Sequence, residues 1–348
     1  MYRKILVGYD DSDQAKDAVA LGKQLADATG AELIVAGVFS FGPMWGGFHP
    51  HFRDAEAEYA RQIEAAADAV GAEPEAFPSS SPARGLHELA EEIGAELILV
   101  GSAHHGRVGQ VLAGSVAVAL LHGSPCGVGV APHGYRKHAR EDIGVIAAGV
   151  AGSAESDRAV MAASELAVAT GAKLKLIAVA EPPMVGTGSG AADGWRALKD
   201  AIEENTREQL AKTWSTVPDG VEVEATLISG DPVEALVNVA GTPGTLLVVG
   251  SRAYGPLRRV LLGSVSTSLV RLTPCPLIVT PRGAHESRKM APRASGRSRP
   301  MSVSTGPVLL AYDGSPRSAT AIAVAGRLLP GRRAVVSRLD RPLASHAS

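Results

Sequence analysis

Residues 97–134, LILVGSAHHGRVGQVLAGSVAVALLHGSPCGVGVAPHG, hold the stretch of this chain best suited to chemistry. An apolar run ends at Gly101, a glycine-rich stretch carrying His104 and Arg107 follows, and Gly114-Ser115 opens a second apolar segment. Strand, glycine turn and helix start is how α/β proteins hold anions: the first amides of a helix lack intrahelical acceptors, and the dipole turns its positive end there. Gly101 would let the chain turn, Gly114 would admit close backbone approach, and Ser115 would add a hydroxyl and an N–H. A carboxylate suited to ribose hydroxyls stands at the end of the first apolar run, Asp10 in ILVGYDDS.

Several chemistries fail on residue type. Gly101-x4-Gly106 begins like a Walker A loop, but Arg107-Val108 stands where Lys-Ser/Thr is required. No lysine is placed for β/γ phosphates and no hydroxyl for magnesium. The dinucleotide pattern G-x-G-x-x-G is absent from this loop. His49 and His51, with His104 and His105, lack a carboxylate or cysteine at ligand spacing, so no metal is expected. No Ser-His-Asp set or acid/base pair can be argued from spacing.

The elements that must position these residues occur twice. Residues 246–283, LLVVGSRAYGPLRRVLLGSVSTSLVRLTPCPLIVTPRG, align with 97–134 without a gap, so that Gly250, Gly263 and Ser264 match Gly101, Gly114 and Ser115. A repeat of this length means duplicated domains. The openings correspond as well: ILVGY, a polar-started segment of helical spacing ending at Gly30, then ELIVAGVF; and IGVIAAGV, GSAESDRAVMAASELAVATG, KLKLIAVA. Aligning GYDDS with GVAGS puts Ala151 opposite Asp10. Each unit reads β-α-β-α-β-α-β-α-β, with its third strand near EAFPSS or EVEATLIS. Strands alternating with helices predict a parallel sheet covered on both faces, with the ligand crevice at the strands' carboxyl ends where strand order reverses. Val38, at the end of the second strand, borders that crevice. The aromatic-rich segment 39–52 after it reads as a mobile surface loop or contact patch, or as a lid or adenine-side wall of the crevice.

These residues resemble the universal stress protein (UspA) family, in a tandem two-domain form, over residues 1–284. The resemblance implies a Rossmann-like fold and ATP or ADP binding without vigorous turnover. Its nucleotide-binding members carry G-x2-G-x9-G-[S/T] after the fourth strand and an aspartate at the end of the first. Asp10, Gly101, Gly114 and Ser115 match, and His104 replaces the second glycine. In the second unit Gly250, Gly263 and Ser264 match, Ala253 replaces that glycine, and the aspartate is gone. ATP is therefore the expected ligand, bound chiefly in the first unit, with no metal beyond nucleotide-bound magnesium. The function implied is a non-catalytic nucleotide-responsive stress protein, weak ATPase or self-phosphorylating activity being the enzymatic variant. The alternative is a pairing scaffold whose glycine loops are structural.

The fold expected is α/β, two tandem doubly wound domains over 1–135 and 141–284. A basic Pro/Ser-rich linker at 285–306 and an incomplete third copy at 307–342 (PVLLAYDGSPRSATAIAVAGRLLPGRRAVVSRLDRP) follow. The final strand of each unit is an edge that invites pairing of the two domains or a homodimer. Of the 348 residues 45% are apolar, 20% charged and only 4% aromatic, with a net charge of −2, so nucleic acid and membrane surfaces are not expected partners. Cys126 and Cys275 are too few for a disulfide framework and read as small buried hydrophobes. The opening apolar run is too short for a signal peptide, and a cytoplasmic location is expected.

Overall fold

The computed structural model describes residues 1–39, 50–102, 114–139, 141–182, 192–251, 263–280, 308–312 and 334–338. His104 and the linker therefore lie outside the described residues. The first half runs β1 (Lys4–Gly8), α1 (Asp13–Thr29), β2 (Glu32–Phe39), α2 (Pro50–Asp68), β3 (Glu73–Pro78), α3 (Pro82–Ile93), β4 (Leu97–Gly101), α4 (Ser115–Leu121) and β5 (Gly127–Ala131). The second runs β6 (Val145–Val150), α5 (Ala154–Thr170), β7 (Lys173–Ala180), α6 (Ala192–Trp214), β8 (Val223–Ser229), α7 (Pro232–Ala240), β9 (Thr245–Gly250), α8 (Ser264–Leu272) and β10 (Leu277–Thr280). The alternating order expected from the repeat is the order observed.

Local signals set the helix ends. Ser12 caps α1 by accepting from the Ala15 amide, and Gly30 closes it in the left-handed region. In α5, Ser153 and Ser156 form a reciprocal capping box, and Gly171 takes the same closing role as Gly30. Strands β1, β4, β6 and β9 are near-continuous apolar runs because helices cover both faces, whereas the outermost strands β3 and β8 are not.

The strand order is β3-β2-β1-β4-β5-β10-β9-β6-β7-β8. Every pairing is parallel except the central one, where β5 and β10 meet antiparallel with Ile278 opposite Gly129. One core, around Leu21, Leu25, Leu97, Leu99, Ile146 and Leu166, lies on the α1, α2, α5 and α6 face. The other, around Leu6, Leu86, Ile98, Leu120, Leu247 and Leu269, lies under α3, α4, α7 and α8. Both cores run across the central seam. Each fully buried Leu or Ile contributes about 1.5–3 kcal/mol, so the two layers hold the strand ends in fixed register.

Residues 1–289 form one compact unit and 290–348 another. In the latter, β11 (Val308–Tyr312) pairs parallel with β12 (Ala334–Arg338).

Candidate functional site

The crevice forms where strand order reverses. β1 lies between β2 and β4, and β6 between β7 and β9, so each half carries one switch point at its carboxyl ends. Asp10 and Gly101 thus leave adjacent strands, as do Ala151 and Gly250.

Asp10 is exposed, and its Oδ1 accepts from the Ser12 amide at 3.2 Å and from the Ser12 hydroxyl at 2.5 Å. The same serine caps α1, so the carboxylate is oriented by the helix start. Asp11 follows at φ 60°, a left-handed conformation unusual for any residue but glycine. It is held there by the Tyr9 hydroxyl at 2.8 Å and Lys16 Nζ at 2.9 Å. The Lys16 bond, then the Tyr9 bond, keep the Asp11 carboxyl below its usual range. Burial, then the bond to Asp11, pushes the Tyr9 phenol up to about 12. Tyr59 closes this corner by donating to the Tyr9 carbonyl at 2.8 Å. None of these supports was singled out from sequence; the Ser12 cap, three residues before its Ala15 donor, was the signal available.

Gly101 has a different role from the turn expected of it. Its φ is not positive; a Cβ there would lie 2.2 Å from the Gln14 carbonyl oxygen, on the backbone of α1. Gly250 repeats this, a Cβ lying 2.6 Å from the Glu155 carbonyl on α5. Both glycines are required where a helix start crosses a strand end. Val38 packs toward α3, where a Cβ on Gly85 would meet it at 2.6 Å.

The glycines that open the following helices differ from these. Gly114 is the N-cap of α4 and Gly263 of α8, and neither helix start receives a side-chain capping bond. By contrast Ser12, Ser81, Ser153 and Asp231 each cap their helices with a side-chain oxygen. Ser115 and Ser264 are exposed at the two open starts. Beneath the second, the Ser266 hydroxyl donates to the Gly250 carbonyl at 3.0 Å, tying α8 to the end of β9. Two helix starts capped by glycine, without a side-chain cap among the described residues, therefore follow the switch-point strands, and only the first has a carboxylate at the end of the neighbouring strand. Among the described residues no group of three or more His, Cys, Asp or Glu is placed to hold a metal. No helix described is long and apolar enough to cross a membrane.

Comparison with known proteins agrees with this architecture. A universal stress protein of Mycobacterium tuberculosis is 30% identical over 208 residues, covering 58% of this chain and 69% of that one. A second from the same organism is 27% identical over 290 residues, covering 79% and 96%. A solved universal stress protein from Archaeoglobus fulgidus, 22% identical, superposes with a TM-score of 0.55 over 80% of this chain and 98% of its own, which bears on the fold. The model of the Universal stress protein family matches twice, at residues 1–132 and 143–281. With both halves matched, the chain belongs to the universal stress protein family, as a tandem two-domain member.

Proposed function

We propose that this protein is a non-catalytic stress-response module that binds an adenine nucleotide, ATP, in the first crevice. The observation that carries the reading is Asp10, oriented by Ser12 at the end of β1, with the glycine-capped start of α4 following the adjacent strand β4. Phosphates would lie at Gly114 and Ser115 with His104 adding charge, and the ribose would lie at Asp10. Gly101 and Gly250 act by letting α1 and α5 approach. Gly263 and Ser264 offer the same open helix start in the second half without the carboxylate. Calorimetric titration of ATP into the intact chain tests this. One tight site is expected, weakened ten- to a hundredfold by Asp10→Ala, the cost of a charge-assisted hydrogen bond at about 1.5–3 kcal/mol. Affinity should rise as pH falls from about 7.5 to 6, and His104→Gly should flatten that slope. No binding at any pH would reject the reading.

The scaffold alternative draws on the packing role of Gly101 and Gly250, which needs no ligand. On either reading the units are 1–135 and 141–284, working as a pair through β5 and β10 in the cytoplasm, with 285–306 as a tether. We read 307–342 as an incomplete third copy, a reading supported by the parallel pairing of β11 with β12, the arrangement of β1 with β2.

A further inference from the structure

The two ends of the ten-stranded sheet are built differently. At one end β3 reads EPEAFP, with Pro74 and Pro78 and two glutamates, and is exposed along nearly all its length. Prolines and charges are how natural sheets blunt an edge against pairing. At the other end β8 reads VEATLIS, without proline, and is half-buried over Val223–Ile228. Its one charge is already taken: Glu224 pairs with Lys173 at 3.1 Å and Lys175 at 3.0 Å on β7. This edge is not blunted.

The hydrogen bonds to β7 tell which groups of β8 face outward. Leu174 N donates to the Glu222 carbonyl at 2.9 Å, and Gly230 N donates to the Ala180 carbonyl at 3.0 Å. Polar groups alternate sides along a strand, so residues 222, 224, 226, 228 and 230 turn theirs to β7. Val223, Ala225, Leu227 and Ser229 turn theirs away, and β8 has no second strand neighbour among the described residues.

We infer that β8 is a self-association edge, pairing antiparallel with β8 of a second copy of this chain. A register centred on Thr226 satisfies the alternation: Ala225 meets Leu227 and Val223 meets Ser229 as hydrogen-bonded pairs. Thr226 then faces Thr226 of the copy, a favourable cross-strand pair, and Glu224 faces Ile228, so no like charges are opposed. An antiparallel edge joint of this kind already stands in the middle of the same sheet, between β5 and β10.

Light scattering on the intact chain over a concentration series should give twice the 35.7 kDa chain mass. Ala225→Pro removes an outward N–H and no bond to β7, so it should give the single-chain mass with an unchanged circular dichroism spectrum. Should that variant fail to fold, amide exchange of the unaltered chain decides: Val223, Ala225 and Leu227 should gain protection as concentration rises. A single-chain mass at every concentration, a folded Ala225→Pro dimer, concentration-independent exchange, or protection only on adding another protein would each overturn the inference.

Discussion

After β1 the chain reads Tyr9-Asp10-Asp11-Ser12, and after β6 it reads Val150-Ala151-Gly152-Ser153. Asp11 has φ 60° and Gly152 φ 61°, and the two serines cap α1 and α5 in the same way. Each helix then crosses a strand-end glycine too closely for a Cβ. The backbone follows one path twice, yet the group facing the crevice is a carboxylate in one half and a methyl in the other. Residues that packing demands recur in both halves, whereas Asp10, to which the proposed function gives the ribose, is present in one. The second half thus serves as an internal control for the first.

The largest expected effect tests the shared packing. Gly101→Ala places a Cβ 2.2 Å from a helix carbonyl oxygen, and Gly250→Ala places one at 2.6 Å. Neither neighbour is a flexible side-chain tip, so each helix must shift, at about 3 kcal/mol for an overpacked site. Urea unfolding should show both losses, the first greater. Unchanged midpoints would mean that the glycines are kept for something other than α1 and α5.

A second contrast separates the halves. Asp17 is 1% exposed, and its carboxylate accepts from Gly134 N at 2.7 Å and Arg136 N at 3.0 Å, pinning the connector between the halves to α1. The corresponding position of α5 is Arg158, whose Nη1 is buried without a hydrogen-bond partner among the described residues. Asp17→Ala strands two donors and should cost about 2–3 kcal/mol, with faster tryptic cleavage after Lys137. Arg158→Met should be neutral or slightly stabilising. Equal losses would show that the two positions carry the same kind of anchor.

The crevice contrast can be sharpened by transplanting the carboxylate. Ala151→Asp in an Asp10→Ala background should restore about tenfold in ATP affinity, near 1.4 kcal/mol, read by calorimetry. Gly152 and Ser153 already give it the backbone that orients Asp10. Failure to gain affinity would place the difference between the halves in the loops and not at residue 151.

The duplication, the element order and the switch-point location were legible because they rest on periodicity and on residues repeated in line. The third strands were found within about two residues, EVEATLIS by its alternation and EAFPSS by the matching place it holds in the repeated element order. The reason for Gly101 was not legible: sequence shows a glycine, whereas only the crossing of α1 over β4 shows that a Cβ would strike Gln14. Asp17 was hidden for the same reason, since a helical aspartate reads as a solvated face until a distant connector is laid against it. Distant contact, not local propensity, separates what was read from what was missed.

An effect confined to alkaline pH and absent at neutrality concerns the two cysteines, one on each side of the seam. Burial pushes both the Cys126 and the Cys275 thiol up to about 12 from 9.0. A raised native pKa means that the unfolded chain ionises first. The stabilisation is therefore complete below pH 9 and is lost as pH rises from about 9 toward 12. Each thiol should add about 1.4 kcal/mol of loss per pH unit in that window, and Cys126→Ala or Cys275→Ala should remove its own share of the slope. Cys275 lines a small cavity with Ser102 and Thr273, where the second half meets the first, whereas Cys126 lies among first-half residues under α4. If the seam stays closed in solution, the two shares are equal, and neither thiol reacts with a disulfide reagent at pH 8 without urea. A missing share at Cys275 alone would show that water reaches the seam, and that the halves part there before either core unfolds.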